Sequence, residues 1–289
     1  MQEGIKKHFF GLKIILSIIL VATTVSIVAA FFHDAAEGNS STSETNPKAV
    51  IIDQLYDDIP NNRFHEIAID LFAKAGYEVD VFTTKDITID FYKQLPSKNY
   101  KFVLIRSHGA ADENDNDSVT LFTGERYDNE KYISEQLFGQ VKKGAPLEEV
   151  DYIVNNADAQ WVMVNDTYTL SVPAKTFVSS KDEYFLITPT FIDSNMKGKF
   201  SKTIFLLGGC STMHTDTMAK SLVKRGASTV IGWDDRIGSG ENDYAMLMLL
   251  DKLFVMNMEL DDAVESLMEQ IPLERMSYQA RMAIYSDQI

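Results

Sequence analysis

Four short apolar runs constrain this chain more than any other feature: KAVIID at 48–53, KFVLIR at 101–106, TIFLLGG at 203–209 and STVIGW at 228–233. Each is only six or seven residues long and rich in β-branched residues, which favours a strand over a buried helix. Their nearly unbroken apolar character means that both faces of each strand are covered. Between the first two runs, residues 61–75 put Phe64, Ile67, Ala68, Leu71 and Phe72 on one helical face, and Gly76 follows as a helix-ending glycine. Residues 77–84 alternate as a strand and 87–95 read as a helix. Strands alternating with crossover helices predict an α/β fold, a mostly parallel sheet with helices on both faces.

The rhythm changes after Gly109. Residues 110–118 (AADENDNDS) read as an acidic loop, 119–125 as a strand and 129–142 as a helix. Several strand-like runs between 150 and 191 then predict a β-rich insertion at about 144–200. The alternation resumes at 203 with a helix over 213–225 closed by Gly226, and with helices at 244–256 and 260–270. The last segment, 273–289, is read as a helix that docks on the domain or on a partner.

The first 47 residues obey different physics. Residues 14–32 are 19 in number without a charge, preceded by Lys6, Lys7 and Lys13. As a helix they would span roughly 28 Å, about the hydrocarbon thickness of a bilayer. The lysines favour a cytoplasmic N-terminus, so the expectation is one transmembrane anchor within residues 1–33, with the rest outside the cytoplasm; cleavage as a signal segment is the alternative. Residues 34–47 have the small, polar composition of a flexible tether, and a single α/β domain then fills 48–289. The formal net charge of −15 argues against nucleic acid as a partner and is compatible with basic peptide substrates.

In an open α/β sheet, functional residues collect beyond the carboxyl ends of the strands. Three such ends are polar here: RSHGA at 106–110, GGCST at 208–212 and GWDDR at 232–236. The second holds Cys210, the chain's single cysteine, which excludes an intramolecular disulfide. Two glycines before it permit a sharp turn and close backbone approach by a ligand, and an expected helix just after it would lower the thiol pKa through its unpaired N–H groups and dipole. His108 ends the third strand. If the two strands are neighbours, an imidazole able to take the thiol proton emerges beside Cys210. The backbone N–H groups of Gly109 and Cys210 would then face a developing oxyanion.

A hydrophobic strand ending in His108–Gly109, followed downstream by one ending in Gly209–Cys210, resembles the caspase-like (clan CD) cysteine peptidases. The closest likeness is to CHAT-domain and gingipain-type sequences. Residues 206–254 are similar to the CHAT pattern of a cysteine, a helix ending in glycine, a VIG strand, a Trp with acidic residues and a further helix. That resemblance implies a caspase-like fold and a peptide or protein substrate. It implies a His–Cys dyad of His108 and Cys210, and a specificity pocket containing Trp233, Asp234 and Asp235. An acidic pocket would favour arginine or lysine before the scissile bond. An inactive member acting as a binding or sensing domain is the alternative.

Other constellations are weaker. Cys210 and His214 could share a helical face, but two ligands do not make a structural zinc site, and no metal is expected there. The loop Asp112–Asp117 (DENDND) has oxygen ligands at alternating positions and is a candidate calcium loop, though it lacks the glycine and distal glutamate of an EF-hand. No G-x-S-x-G elbow or phosphate-binding glycine motif occurs.

Overall fold

The computed structural model describes residues 46–112, 118–151, 162–164, 167–169, 175–179, 182–271 and 278–286. Strand β1 (Lys48–Asp53) has every residue after Lys48 buried, as expected of a strand covered on both faces. Helix α1 (Asn62–Lys74) starts where the Asn61 side chain accepts from the Phe64 N–H at 3.1 Å, and it buries Phe64, Ala68, Leu71 and Phe72. It gives way to Gly76, at φ +81°, which turns the chain into β2 (Glu78–Thr83). Helix α2 (Ile89–Gln94) crosses back to β3 (Phe102–Arg106).

Only Ser107 and His108 separate β3 from β4 (Gly109–Asp112). From there the chain builds β5 (Ser118–Arg126), α3 (Ile133–Leu137), β6 (Val141–Gly144), β7 (Leu147–Asp151), β8 (Val162–Val164), β9 (Thr167–Thr169), β10 (Lys175–Ser179), β11 (Tyr184–Ile187) and α4 (Pro189–Asn195). A four-stranded antiparallel sheet has the order β4-β5-β11-β6, so strands outside the main sheet begin at Gly109. The helix read over 129–142 shrinks to the five residues of α3. Gly139 turns at φ +65°, and Val141 then pairs with Ile187 as a strand. The strand-like reading through residue 191 stops at Thr188, which caps α4 by accepting from the Phe191 N–H, with Pro189 in the first turn.

The remaining elements are β12 (Thr203–Gly208), α5 (Thr217–Lys224), β13 (Ala227–Trp233), α6 (Ser239–Phe254), α7 (Leu260–Gln270) and β14 (Met282–Ser286). The main sheet runs β2-β1-β3-β12-β13-β14, with every pair parallel except β13–β14. Side chains alternate across it. Val50, Ile52, Val103, Ile105, Phe205, Leu207 and Val230 enter the core under α2, α4 and α5. Ala49, Ile51, Phe102, Leu104, Leu206, Ile231 and Trp233 enter the one under α1, α6 and α7. The protein is therefore a mixed α/β fold with a mostly parallel sheet flanked by helices.

Two further expectations fail. The last segment supplies an edge strand, β14, because Met282, Ile284 and Ala283, Tyr285 alternate onto the two cores beside β13. Helix α5 begins at Thr217 rather than near 213, because the chain before it is bonded to β13 through Thr212 and Met213. The anchor at 14–32 and the tether up to residue 45 lie outside the described residues. Among the described residues no helix is long and apolar enough to cross a membrane.

Candidate active site

The parallel register of β3 and β12 pairs Arg106 with Gly208. The Ser107 N–H donates to the Gly208 carbonyl at 2.9 Å, carrying the ladder one step further. Two residues beyond the register pair stand His108 on one strand and Cys210 on its neighbour, so these groups leave the same sheet edge on adjacent strands, whose spacing is about 4.8 Å. The backbones touch there. A Cβ on Gly209 would lie 2.5 Å from the Ser107 carbonyl oxygen, and one on Gly109 would lie 2.4 Å from that of Cys210. Any side chain at either position would force the two strand ends apart.

His108 and Cys210 are both half-buried and line one cleft of about 230 Å³. Its walls come from three directions. Leu55 and Ile59 follow β1, Asp235 to Ile237 follow β13, and Phe122, Ala145 and Pro146 belong to the β-rich region. That region therefore forms a wall of the cleft. The His108 N–H donates to Gln54 Oε1 at 3.0 Å, its carbonyl accepts from the Phe122 N–H at 3.2 Å, and its ring meets Phe122 edge-on with centroids 5.7 Å apart. The Cys210 thiol donates to the Ile237 carbonyl at 3.4 Å.

The chain after Cys210 is stitched to β13 instead of entering a helix. Ser211 adopts φ +55° and donates its N–H to the Asp235 carbonyl at 2.9 Å. The Thr212 hydroxyl, fully buried, donates to the Leu207 carbonyl at 3.1 Å and accepts the Trp233 N–H at 3.0 Å, and the Met213 N–H donates to the Trp233 carbonyl at 2.7 Å. These bonds consume the polar groups that a first helical turn would use, so α5 starts only after residue 216. The expected helix-dipole effect on Cys210 is thereby removed, because it falls off within the first turn.

The structure separates the three specificity residues. Asp235 is exposed and lines the cleft. Trp233 is fully buried, its indole N–H donating to Asn242 Oδ1 at 2.9 Å. Asp234 receives the Arg281 N–H on its carboxylate at 2.7 Å and so ties β13 to the start of β14. Neither residue is among those lining the cleft. His214 does line it, with Nδ1 3.1 Å from the Asp234 carbonyl; since a carbonyl only accepts, Nδ1 carries the proton. Residue 214 lies in the strap before α5, so it shares no helical face with Cys210. Among the described residues no group of three or more His, Cys, Asp or Glu is placed to hold a metal ion. Apart from the backbone of Asp112, the candidate calcium loop lies outside the described residues.

Behind the cleft is a charged cluster that sequence reasoning missed. Arg106, fully buried, donates from Nη1 to Asp53 at 2.8 Å and from Nε and Nη2 to the two Asp243 oxygens at 2.7 and 3.0 Å; Nη2 also reaches the Ile59 carbonyl. His65 reaches the second Asp53 oxygen at 2.8 Å, and Asn61 donates to Asp243 at 2.8 Å. Burial pushes the Asp243 carboxyl up, opposed by Arg106. Burial works against the Arg106 charge too, but Asp243 and Asp53 outweigh it and hold its pKa above the ordinary value. The cluster clamps the ends of β1 and β3 and the start of α6 into one base below the strand ends that carry His108 and Cys210. Its sequence signal is the pair of charges, Asp53 and Arg106, closing two apolar runs in matching register.

The fold and this cleft define a class: a helix-flanked, mostly parallel α/β sheet with a thiol and an imidazole at its carboxyl edge. Compared with known proteins, the chain matches no family model and no curated protein.

Proposed function

We propose that this chain is a caspase-like cysteine endopeptidase, tethered to a membrane through residues 14–32 with its catalytic domain outside the cytoplasm. One observation carries the reading: the single cysteine and His108 stand at equivalent ends of adjacent parallel strands and line the same cleft. In the proposed reaction His108 takes the thiol proton and the Cys210 thiolate attacks the scissile carbonyl. The N–H groups of Gly109 and Cys210 receive the oxyanion. Collapse of the tetrahedral intermediate expels the amine, which leaves with the proton held by His108. Water deprotonated by His108 then attacks the thioester, releasing the acid and returning the proton to sulfur. Asp235 at the rim supports a preference for a basic residue before the scissile bond, with Asp234 acting only through the backbone it holds.

A second reading, a catalytically inactive binding domain, is favoured by the thiol proton lying on the Ile237 carbonyl and by the absence of a helix start at Cys210. A peptidyl acyloxymethyl ketone probe separates the two. Labelling of the reduced full chain, lost in both Cys210→Ala and His108→Ala and kept in His214→Ala, is the result expected of the peptidase. A folded, reduced chain that takes no label is the inactive domain.

A further inference from the structure

Gln54 is fully buried and its backbone is held on both sides. Its N–H donates to the Arg106 carbonyl at 2.8 Å, one residue past the Asp53–Arg106 register pair, and its carbonyl accepts from the Thr84 hydroxyl at 3.2 Å. The direction of its side chain is therefore fixed by the sheet. Oε1 accepts the His108 N–H at 3.0 Å, beyond the last ladder bond of β3. Because a backbone N–H can only donate, the amide orientation follows from this bond. Nε2 is left buried with no hydrogen-bond partner.

That orphaned donor is informative. If position 54 served packing alone, a leucine or methionine would fill it without an unsatisfied N–H. If it served only to accept the His108 N–H, a glutamate would accept equally and leave no donor stranded. A carboxylate, however, would add a buried negative charge next to Asp53 and one hydrogen bond from the imidazole residue. We propose that Gln54 is a positioning residue of the thiol–imidazole site, an uncharged acceptor that fixes the His108 backbone so that the ring meets Cys210 without an added charge beside it. This rests on the reading of the preceding subsection.

Among the described residues, the titratable groups sharing the cleft with His108 are Cys210, His214, Asp235, Arg236 and Tyr278, with Asp53, Arg106 and Asp243 buried behind it and His65 on Asp53. The test uses the reduced full chain in detergent, with two readouts against pH: the rate of Cys210 alkylation by iodoacetamide and the His108 ring titration by NMR. Gln54→Met is expected to slow alkylation at neutral pH by roughly tenfold, since a displaced ring meets the thiol poorly. Gln54→Asn, whose amide is drawn back by one methylene, stands in should that variant not fold. Gln54→Glu restores the acceptor and is expected to recover the alkylation rate while moving the ring titration up by about one unit. Wild-type rate and wild-type ring titration in these variants would overturn the proposal. His108→Ala is the control for the underlying reading: if its alkylation profile is that of the wild type, the dyad fails. The ring titration then decides Gln54 by itself, an unmoved titration in Gln54→Glu overturning its role and an upward shift supporting it.

Discussion

Behind the cleft the six-stranded sheet is held by a buried ion cluster, Arg106 between Asp53 and Asp243, whereas in the four-stranded sheet the ion pairs Lys143–Glu183 and Arg126–Asp182 are exposed and the buried bond is neutral, the Thr123 hydroxyl on the Phe185 carbonyl at 2.8 Å. The first set ties two adjacent strands, β1 and β3, to helix α6 and is closed to solvent. The second links one strand pair without reaching a helix, and that pairing of β5 with β11 shifts register between Tyr184 and Leu186. His108 sits on the seam. Its chain rises from the charged base, while Phe122 and the 145–146 turn of the other sheet close the cleft around it. A site built this way has its reacting groups fixed by one sheet and its wall supplied by another, so the wall can change without disturbing the base.

The largest effect should come from the charged base. Arg106→Met leaves two carboxylates buried without their partner and should lower unfolding stability by about 3–5 kcal/mol, read by chemical denaturation. A loss under 1 kcal/mol would mean that the cluster does not hold the strand ends. Next comes the contact between strand ends. Gly209→Ala drives a methyl group into the Ser107 carbonyl and should cost about 1–3 kcal/mol, with peptide-probe labelling of Cys210 falling in parallel. In the second sheet, Thr123→Val removes a hydroxyl that donates to the Phe185 carbonyl and accepts the Glu125 N–H at 3.1 Å, and should cost about 1–2 kcal/mol while labelling persists. Smallest of all, Glu183→Gln breaks an exposed pair with Lys143 and should leave the denaturation midpoint unchanged. A reversal of this order would refute the contrast between the sheets.

The parallel sheet was legible because strands buried on both faces write themselves as continuous apolar runs, and because glycines such as Gly76 mark helix ends. The placing of His108 and Cys210 at adjacent strand ends was legible from the same runs, since it needed only that β3 and β12 be neighbours. The second sheet was harder. Ile133, Leu137 and Phe138 mimic the apolar face of a long helix yet are 57, 79 and 70% exposed, while Val141, a few residues on, is buried as a strand residue. The late start of α5 depends on Thr212 bonding to Leu207 and Trp233, contacts that local periodicity does not carry. Asp243, one of the two carboxylates on Arg106, is 137 residues away in the chain. Apart from the Asp53 and Arg106 charges that close two apolar runs in register, these non-local polar contacts leave no pattern in a single sequence.

The most direct test of the proposed thiol–imidazole chemistry is cleavage itself. The reduced full chain, in detergent, is incubated with a peptide library and the new termini are read by mass spectrometry. The account predicts cleavage by the wild type, enriched after arginine or lysine, that disappears in both Cys210→Ala and His108→Ala. Cleavage that survives either substitution, or none at all from the folded wild type, would contradict it.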